Sequence, residues 1–401
     1  MQNGFSEINS SVLHESDDTI FANLRKFFSD NRNANDLKES MLNYVKSKND
    51  FEGKFISSVL VKMITKDVVA KSVSDEFFTE FTDSLQKNGK EFLKIVKKIW
   101  PVEKKRKNDI FSGFLERLNN KWNAPIDLLE MLYSIVFEVG NEISKSELKN
   151  TRKNNDFKLA ALVKIHVNSC LVYAEIISLL KNGFSDGAMA RWRTLHEYAV
   201  VSSFLLDQDQ ETSEKFLLHE FVEIYDQMVS YMEHCNALGY EKITTDEMQK
   251  MECLCKNLYE KYGTEFKNDY GWAYPVLKNT TFRSIEKAIE LSKWRPFYKL
   301  SCWANHCCAR GLTYKLGKMD TCSGLGLAGA SNYGLADPGQ NAGTSLSIVT
   351  ASLIAHAPSV ERLMILQAIQ ELSPEIGTEF CRVQKEVEED EMRFNNRMQE
   401  V

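Results

Sequence analysis

Across 401 residues the chain has only 7 prolines, and most of its 19 glycines come in the second half. Proline breaks helix interiors and glycine weakens them. A chain this poor in both keeps long stretches over which helices propagate, and it has too few turn signals for a many-stranded fold. The apolar residues agree with this. Ile20, Leu24, Phe27 and Phe28 recur at helical spacing, as do Phe55, Val59, Met63 and Ile64, and then Phe77, Phe78, Phe81, Leu85, Phe92 and Val96. The expected fold is all-α: a multi-helix bundle preceded by an N-terminal helical domain.

In the first half, helices are expected over 18–48, with a turn at Asn31 to Asn35, and over 51–73 and 75–98. The last should break at Trp100-Pro101. Two more follow over 109–120 and 124–139, the second with Pro125 in its first turn. Residues 1–17 read as a frayed end. The polar span Asn141 to Asp156 marks a boundary, giving domains 1–148 and 149–401. In the second half, Asn182-Gly183 should cap a helix over 157–181, and Ser185-Asp186-Gly187 should start the next, over 188–206. Helices over 212–238, 245–262, 284–293, 295–316, 345–372 and 374–401 complete the pattern. Between them lie an aromatic loop (Tyr270, Trp272, Tyr274) and a loop over 317–343 with 7 glycines in 27 residues. A loop of that length is usually functional.

A composition of 43% hydrophobic and 26% charged residues suits a chain with a substantial core. No run reaches the roughly 18–20 consecutive apolar residues of a membrane span. The most apolar run, Leu171 to Leu180, is interrupted by Glu175, so no membrane partner is expected. The polar, acidic stretch from Met1 to Asp18 has no export-signal pattern. The nine cysteines are therefore expected to be reduced thiols and the protein cytoplasmic. The net charge of −6 argues against a basic surface throughout, but not against a local one. Lys87 to Lys107 holds nine Lys or Arg against two Glu. That run fits the solvated face of a helix or a surface that touches nucleic acid, and its aromatics do not interleave as a single-strand groove requires.

Three segments carry a resemblance: Asn182-Gly-Phe-Ser-Asp-Gly-Ala-Met-Ala-Arg-Trp-Arg-Thr-Leu-His-Glu197, Tyr298-Lys-Leu-Ser-Cys-Trp-Ala-Asn-His306, and Gly329-Ala-Ser-Asn-Tyr-Gly-Leu-Ala-Asp-Pro-Gly339. Together, over about residues 155–370, they resemble a large bacterial family of helical proteins known only as a domain of unknown function. In that family Arg-x-x-x-Glu on one helix is followed by Ser and His on another, then by a glycine-rich loop with Asp-Pro-Gly. The helix layout is also similar to helical-bundle ribonucleases of toxin and antiphage systems, which use Arg-x(4–6)-His.

The candidate site follows from these residues. Arg193 and Glu197, at i and i+4, share a helix face among small and apolar neighbours, either as an intrahelical pair or as a pocket. Ser301 and His306 lie on a later helix, from which His306 would face Arg193 and Glu197 as a general base or phosphate ligand. Arg191 and His196 satisfy Arg-x-x-x-x-His, and Asp337 sits in a glycine loop that could close as a lid. No cofactor or metal is expected. Cys253-x-Cys255 lacks zinc spacing, and Gly324-x-Gly-x-x-Gly329 follows a helix rather than a strand. Three functions remain open: a metal-independent ribonuclease acting on RNA, a module that binds a small ligand or nucleic acid, and a structural interaction protein. A homodimer is plausible.

Overall fold

A computed structural model describes residues 75–319 and 326–399, so the helices expected over 18–48 and 51–73 lie outside the described residues. Among the described residues there is no strand. The α-helices are α1 (Asp75–Asn154), α2 (Phe157–Lys181), α3 (Ser185–Asp207), α4 (Gln210–Leu218), α5 (Glu220–Leu238) and α6 (Thr245–Tyr262). They continue as α7 (Phe282–Ala288), α8 (Arg295–Asn305), α9 (Ala309–Thr313), α10 (Ala336–His356) and α11 (Val360–Gln399). The chain forms two compact units, Met1–Gly113 and Phe114–Val401. The boundary expected at residue 148 falls inside α1.

Prolines account for several differences from expectation. Pro101 and Pro125 lie inside α1, and Pro374 lies inside α11, so none of the three ends a helix. Pro358 does. It pushes Ala357 out of the helical region (φ −123°, ψ 68°) and separates α10 from α11, where one helix over 345–372 was expected. Two other expected helices are also split, 212–238 at His219 and 295–316 after Asn305.

In the unit from Phe114 to Val401, α2, α3 and α10 pack on one another and α11 packs on α10. Leu118, Trp122, Ile126 and Leu129 of α1 join Tyr173, Ile176, Trp192, Leu346, Ile376 and Phe380 in the main core. α2 is apolar nearly all round, as a central helix must be. It is the one described helix long and apolar enough to cross a membrane, and 61% of its most apolar window is buried inside the fold. Asp156 caps it by accepting from the Leu159 N–H at 2.9 Å, and also meets His356 Nε2 of α10 at 2.9 Å. Gly339 lets α10 approach α11 closely, since a Cβ there would lie 2.4 Å from the Phe380 ring. At the turn between these helices Arg362 grips Glu142 with Nε and Nη2, at 2.9 and 3.0 Å, and donates to the Ala357 carbonyl at 2.7 Å.

His166 lies where α1, α2 and α10 meet. It is 2% exposed, and its ring occupies the space a side chain at Gly140 would need. Its neighbours are neutral: Cys170 Sγ at 3.8 Å and Thr350 Oγ1 at 3.4 Å. Burial therefore disfavours the imidazolium and lowers the pKa from 6.5 to about 4. Below pH 6.5 the unfolded chain takes up a proton that the folded one refuses, so stability falls as the pH drops from 6.5 towards 4. Urea unfolding should show His166 costing about 2 kcal/mol between pH 7 and pH 5. His166→Gln should flatten the pH dependence by that amount, and an unchanged slope would refute the assignment.

Candidate functional site

Arg193 and Glu197, one turn apart on α3, both reach Tyr298 of α8. Glu197 Oε1 accepts from Arg193 Nη2 at 3.1 Å and from the Tyr298 hydroxyl at 2.7 Å. The guanidinium lies over the Tyr298 ring, 4.8 Å from its centroid. That ring also meets Phe282, stacked at 4.9 Å, Arg295 at 5.0 Å and the His196 ring at 5.9 Å. Burial and the bond to Glu197 hold the Tyr298 phenol far above the usual tyrosine range. Burial acts to lower the Arg193 pKa, but Glu197, Tyr298 and Cys302 together outweigh it and the pKa rises. Tyr270, at the edge of the same cluster, is pushed up to about 12 by burial and by Glu197. The Arg193 Nε–H is buried with no protein acceptor.

His196 turns inward. It is 1% exposed, with Nε2 at 3.1 Å from Glu286 Oε1 of α7. Glu286 is itself fully buried and pairs through its other oxygen with Arg295 at the start of α8. A buried carboxylate is tolerable only with such partners. One stretch of α3 thus ties α7 and α8 to the bundle through two linked polar networks.

The other expected site residues go elsewhere. Ser301 is buried, and its hydroxyl donates to the Tyr298 carbonyl at 2.6 Å, one turn back on its own helix. His306 does not ride on a helix facing Arg193. The chain has already turned extended there (φ −109°, ψ 141°), and the residue is exposed past the end of α8. Arg191 does not meet His196; it pairs with Glu175 of α2 and donates to Thr194 Oγ1 at 3.3 Å. Glu286, Arg295, Phe282, Tyr298 and Tyr270 were not singled out as functional from sequence. Their spacing from α3 is too long for any local pattern to show. Of these, only Tyr298 belongs to one of the three resembling segments.

Asp337-Pro338-Gly339 lies in the first turn of α10, not in a loop. Proline is tolerated there because the first N–H groups of a helix have no intrahelical partner. The described part of the glycine-rich segment is bonded down rather than free to close as a lid. Ser331 N–H donates to the Gly183 carbonyl at 2.8 Å, and Trp122 Nε1 donates to Asn332 Oδ1 at 2.7 Å. Asp186, expected to cap α3, instead accepts from the backbone N–H groups of Leu316 and Gly317, at 3.1 and 3.2 Å. Gly334 (φ 77°) passes so close to the Leu316 carbonyl that a Cβ would lie 2.1 Å from its oxygen.

These crossings frame a cavity of about 260 Å³ lined in part by Lys315, Lys318, Tyr333, Asp337, Gln384 and Glu388. Gln340 Nε2 donates to Asp337 at 3.2 Å. Burial outweighs that bond and raises the Asp337 carboxyl above the usual aspartate range. Among the described residues no group of three His, Cys, Asp or Glu is placed to hold a metal ion.

No curated protein and no solved structure matches the chain. The matching family covers α2 to α9, with Arg193, Glu197, Ser301 and His306 inside it and Asp337 beyond it. Residues 159–322 match a family of unknown function (DUF5677).

Proposed function

We propose that the unit from Phe114 to Val401 is a binding module for a small molecule carrying both an amine and an acidic group, held in the cavity beside Asp337. The observation that carries this reading is the Asp337 carboxylate. It is half-buried at a helix start, opens on the cavity, and burial raises its pKa. A group so placed gains most from a cationic donor. Lys315 and Lys318 supply the opposite sign on the same wall, and Tyr333 supplies an aromatic surface. In this reading the Arg193–Glu197–Tyr298 and His196–Glu286–Arg295 networks fix the arrangement of α3, α7 and α8 rather than react.

The ribonuclease reading relies on a histidine general base beside the arginine that steadies the phosphate. Two placements weigh against it: His196 is committed to Glu286 in the interior, and His306 lies past the end of α8. The test is a thermal-shift and calorimetric screen of amino acids, polyamines and nucleotides, run beside an RNA cleavage assay. A zwitterionic ligand should stabilise the wild type, and Asp337→Asn should weaken its binding at least about tenfold, the loss of one charge-assisted bond. Binding indifferent to Asp337→Asn would sink the proposal. Cleavage lost in His306→Ala with unchanged melting would put the ribonuclease in its place.

A further inference from the structure

In the first unit, six of the nine basic residues of the run share a single face of one unbroken helix. Because α1 continues through Pro101, the positions from Lys87 to Lys107 keep a common helical phase. At 100° per residue, Lys87, Lys90, Lys94, Lys97, Lys98 and Lys105 fall within about 100° of arc. They extend over about 27 Å of helix at 1.5 Å per residue. All six are exposed. The opposite face carries Phe92, Val96, Ile99 and Glu103, each half-buried or buried. The two acidic residues in the run are already engaged, Glu91 with Lys94 at 2.7 Å and Glu103 with Arg106 at 2.9 Å.

We infer that this lysine face binds the phosphate backbone of a nucleic-acid duplex. Nine basic against two acidic side chains give the span a net +7 in a chain of net −6, so the rest of the molecule carries −13. Such a contrast directs a polyanion to this stretch of α1, where six of the nine cations share one face. Lysines act as point charges and suit backbone neutralisation without base readout. Their straight row matches a regular array of phosphates. Single strands are bound through aromatic platforms. Trp100 is the one exposed ring beside the lysines until Phe111, and Lys107 Nζ already lies 5.9 Å from its centroid.

The experiment is fluorescence anisotropy of the full chain with labelled duplex DNA, duplex RNA and the matching single strands, titrated over salt. The comparison variant replaces Lys87, Lys90, Lys94, Lys98 and Lys105 with Gln. A control replaces Lys250 and Lys256, exposed on α6 and paired there with Asp246 and Glu252. Circular dichroism and melting verify that both variants are folded. The wild type should bind duplex with a log–log salt slope of about −4.5, from five phosphates at −0.9 each. The five-lysine variant should lose about a hundredfold in affinity at about 100 mM salt and most of that slope, while the control matches the wild type. Tighter binding to single strands, duplex binding untouched by the five substitutions, or no duplex binding alongside capture by phosphatidylcholine vesicles containing phosphatidylserine would each overturn the inference.

Discussion

Glu286→Ala is expected to cost about 3–5 kcal/mol, because it removes one partner of a buried ionic network and leaves the others in place. The Glu286 side chain has no exposed surface and that of His196 only 2%, so water cannot stand in for the lost carboxylate. His196 Nε2 would face an apolar gap, and Arg295 would keep only its ring contacts with Phe282 and Tyr298. Glu286→Gln keeps the volume and an acceptor oxygen while removing the charge, so it should recover part of the loss. Urea unfolding followed by circular dichroism separates the two variants. If Glu286→Ala unfolded within about 0.5 kcal/mol of the wild type, as an ordinary surface change does, α7 would not depend on this network. Loss of stability in Glu286→Ala without change at Asp337 would also distinguish a scaffolding role for the α3 motif from a role in the ligand cavity.

The helical class was legible because it rests on local chemistry: few prolines, and apolar residues at a 3.6-residue period. Element ends were less legible, since the same residue type has opposite outcomes in different settings. Pro101, Pro125 and Pro374 are carried inside helices, whereas Pro358 separates two. Nothing within a few residues of each proline distinguishes the cases. Asp186 shows the same limit. Beside a helix start it looks like a cap, yet its side chain serves backbone N–H groups about 130 residues away.

The candidate site was legible only where both partners lie on one helix. The spacing of Arg193 and Glu197 announced their pairing, and the structure adds Tyr298 as the third member. The partners of His196 are different in kind. Glu286 is 90 positions away, and no one-dimensional pattern links an imidazole to a carboxylate at that distance. His306 was misplaced for a related reason. The apolar run after Ser301 suggested a continuing helix, but the chain turns at His306 and Cys308 caps α9, its sulfur accepting the Gly311 N–H at 3.4 Å.

Trp192→Ala should be as damaging as Glu286→Ala, at about 3–5 kcal/mol, the usual cost of emptying a large aromatic site in a core. Trp192 lies between Arg191 and Arg193, so the motif's charges flank its largest fully buried side chain, at 0% exposure. Its Nε1–H donates to the Asn341 carbonyl at 3.0 Å and to Ser345 Oγ at 2.9 Å, both on α10. The ring also lies 5.1 Å from that of His196. The substitution would therefore open a cavity, strand two acceptors and loosen the contact between α3 and the helix that begins with Asp337. Trp192→Phe keeps most of the volume and loses only the donor, so about 1–2 kcal/mol is expected. In a double-mutant cycle, Ser345→Ala should cost less in the Trp192→Phe background than in the wild type, by at least about 0.5 kcal/mol. Additive losses would mean that the indole bond to Ser345 contributes nothing and that Trp192 acts through volume alone. Non-additivity would make the bond the fastener between α3 and α10.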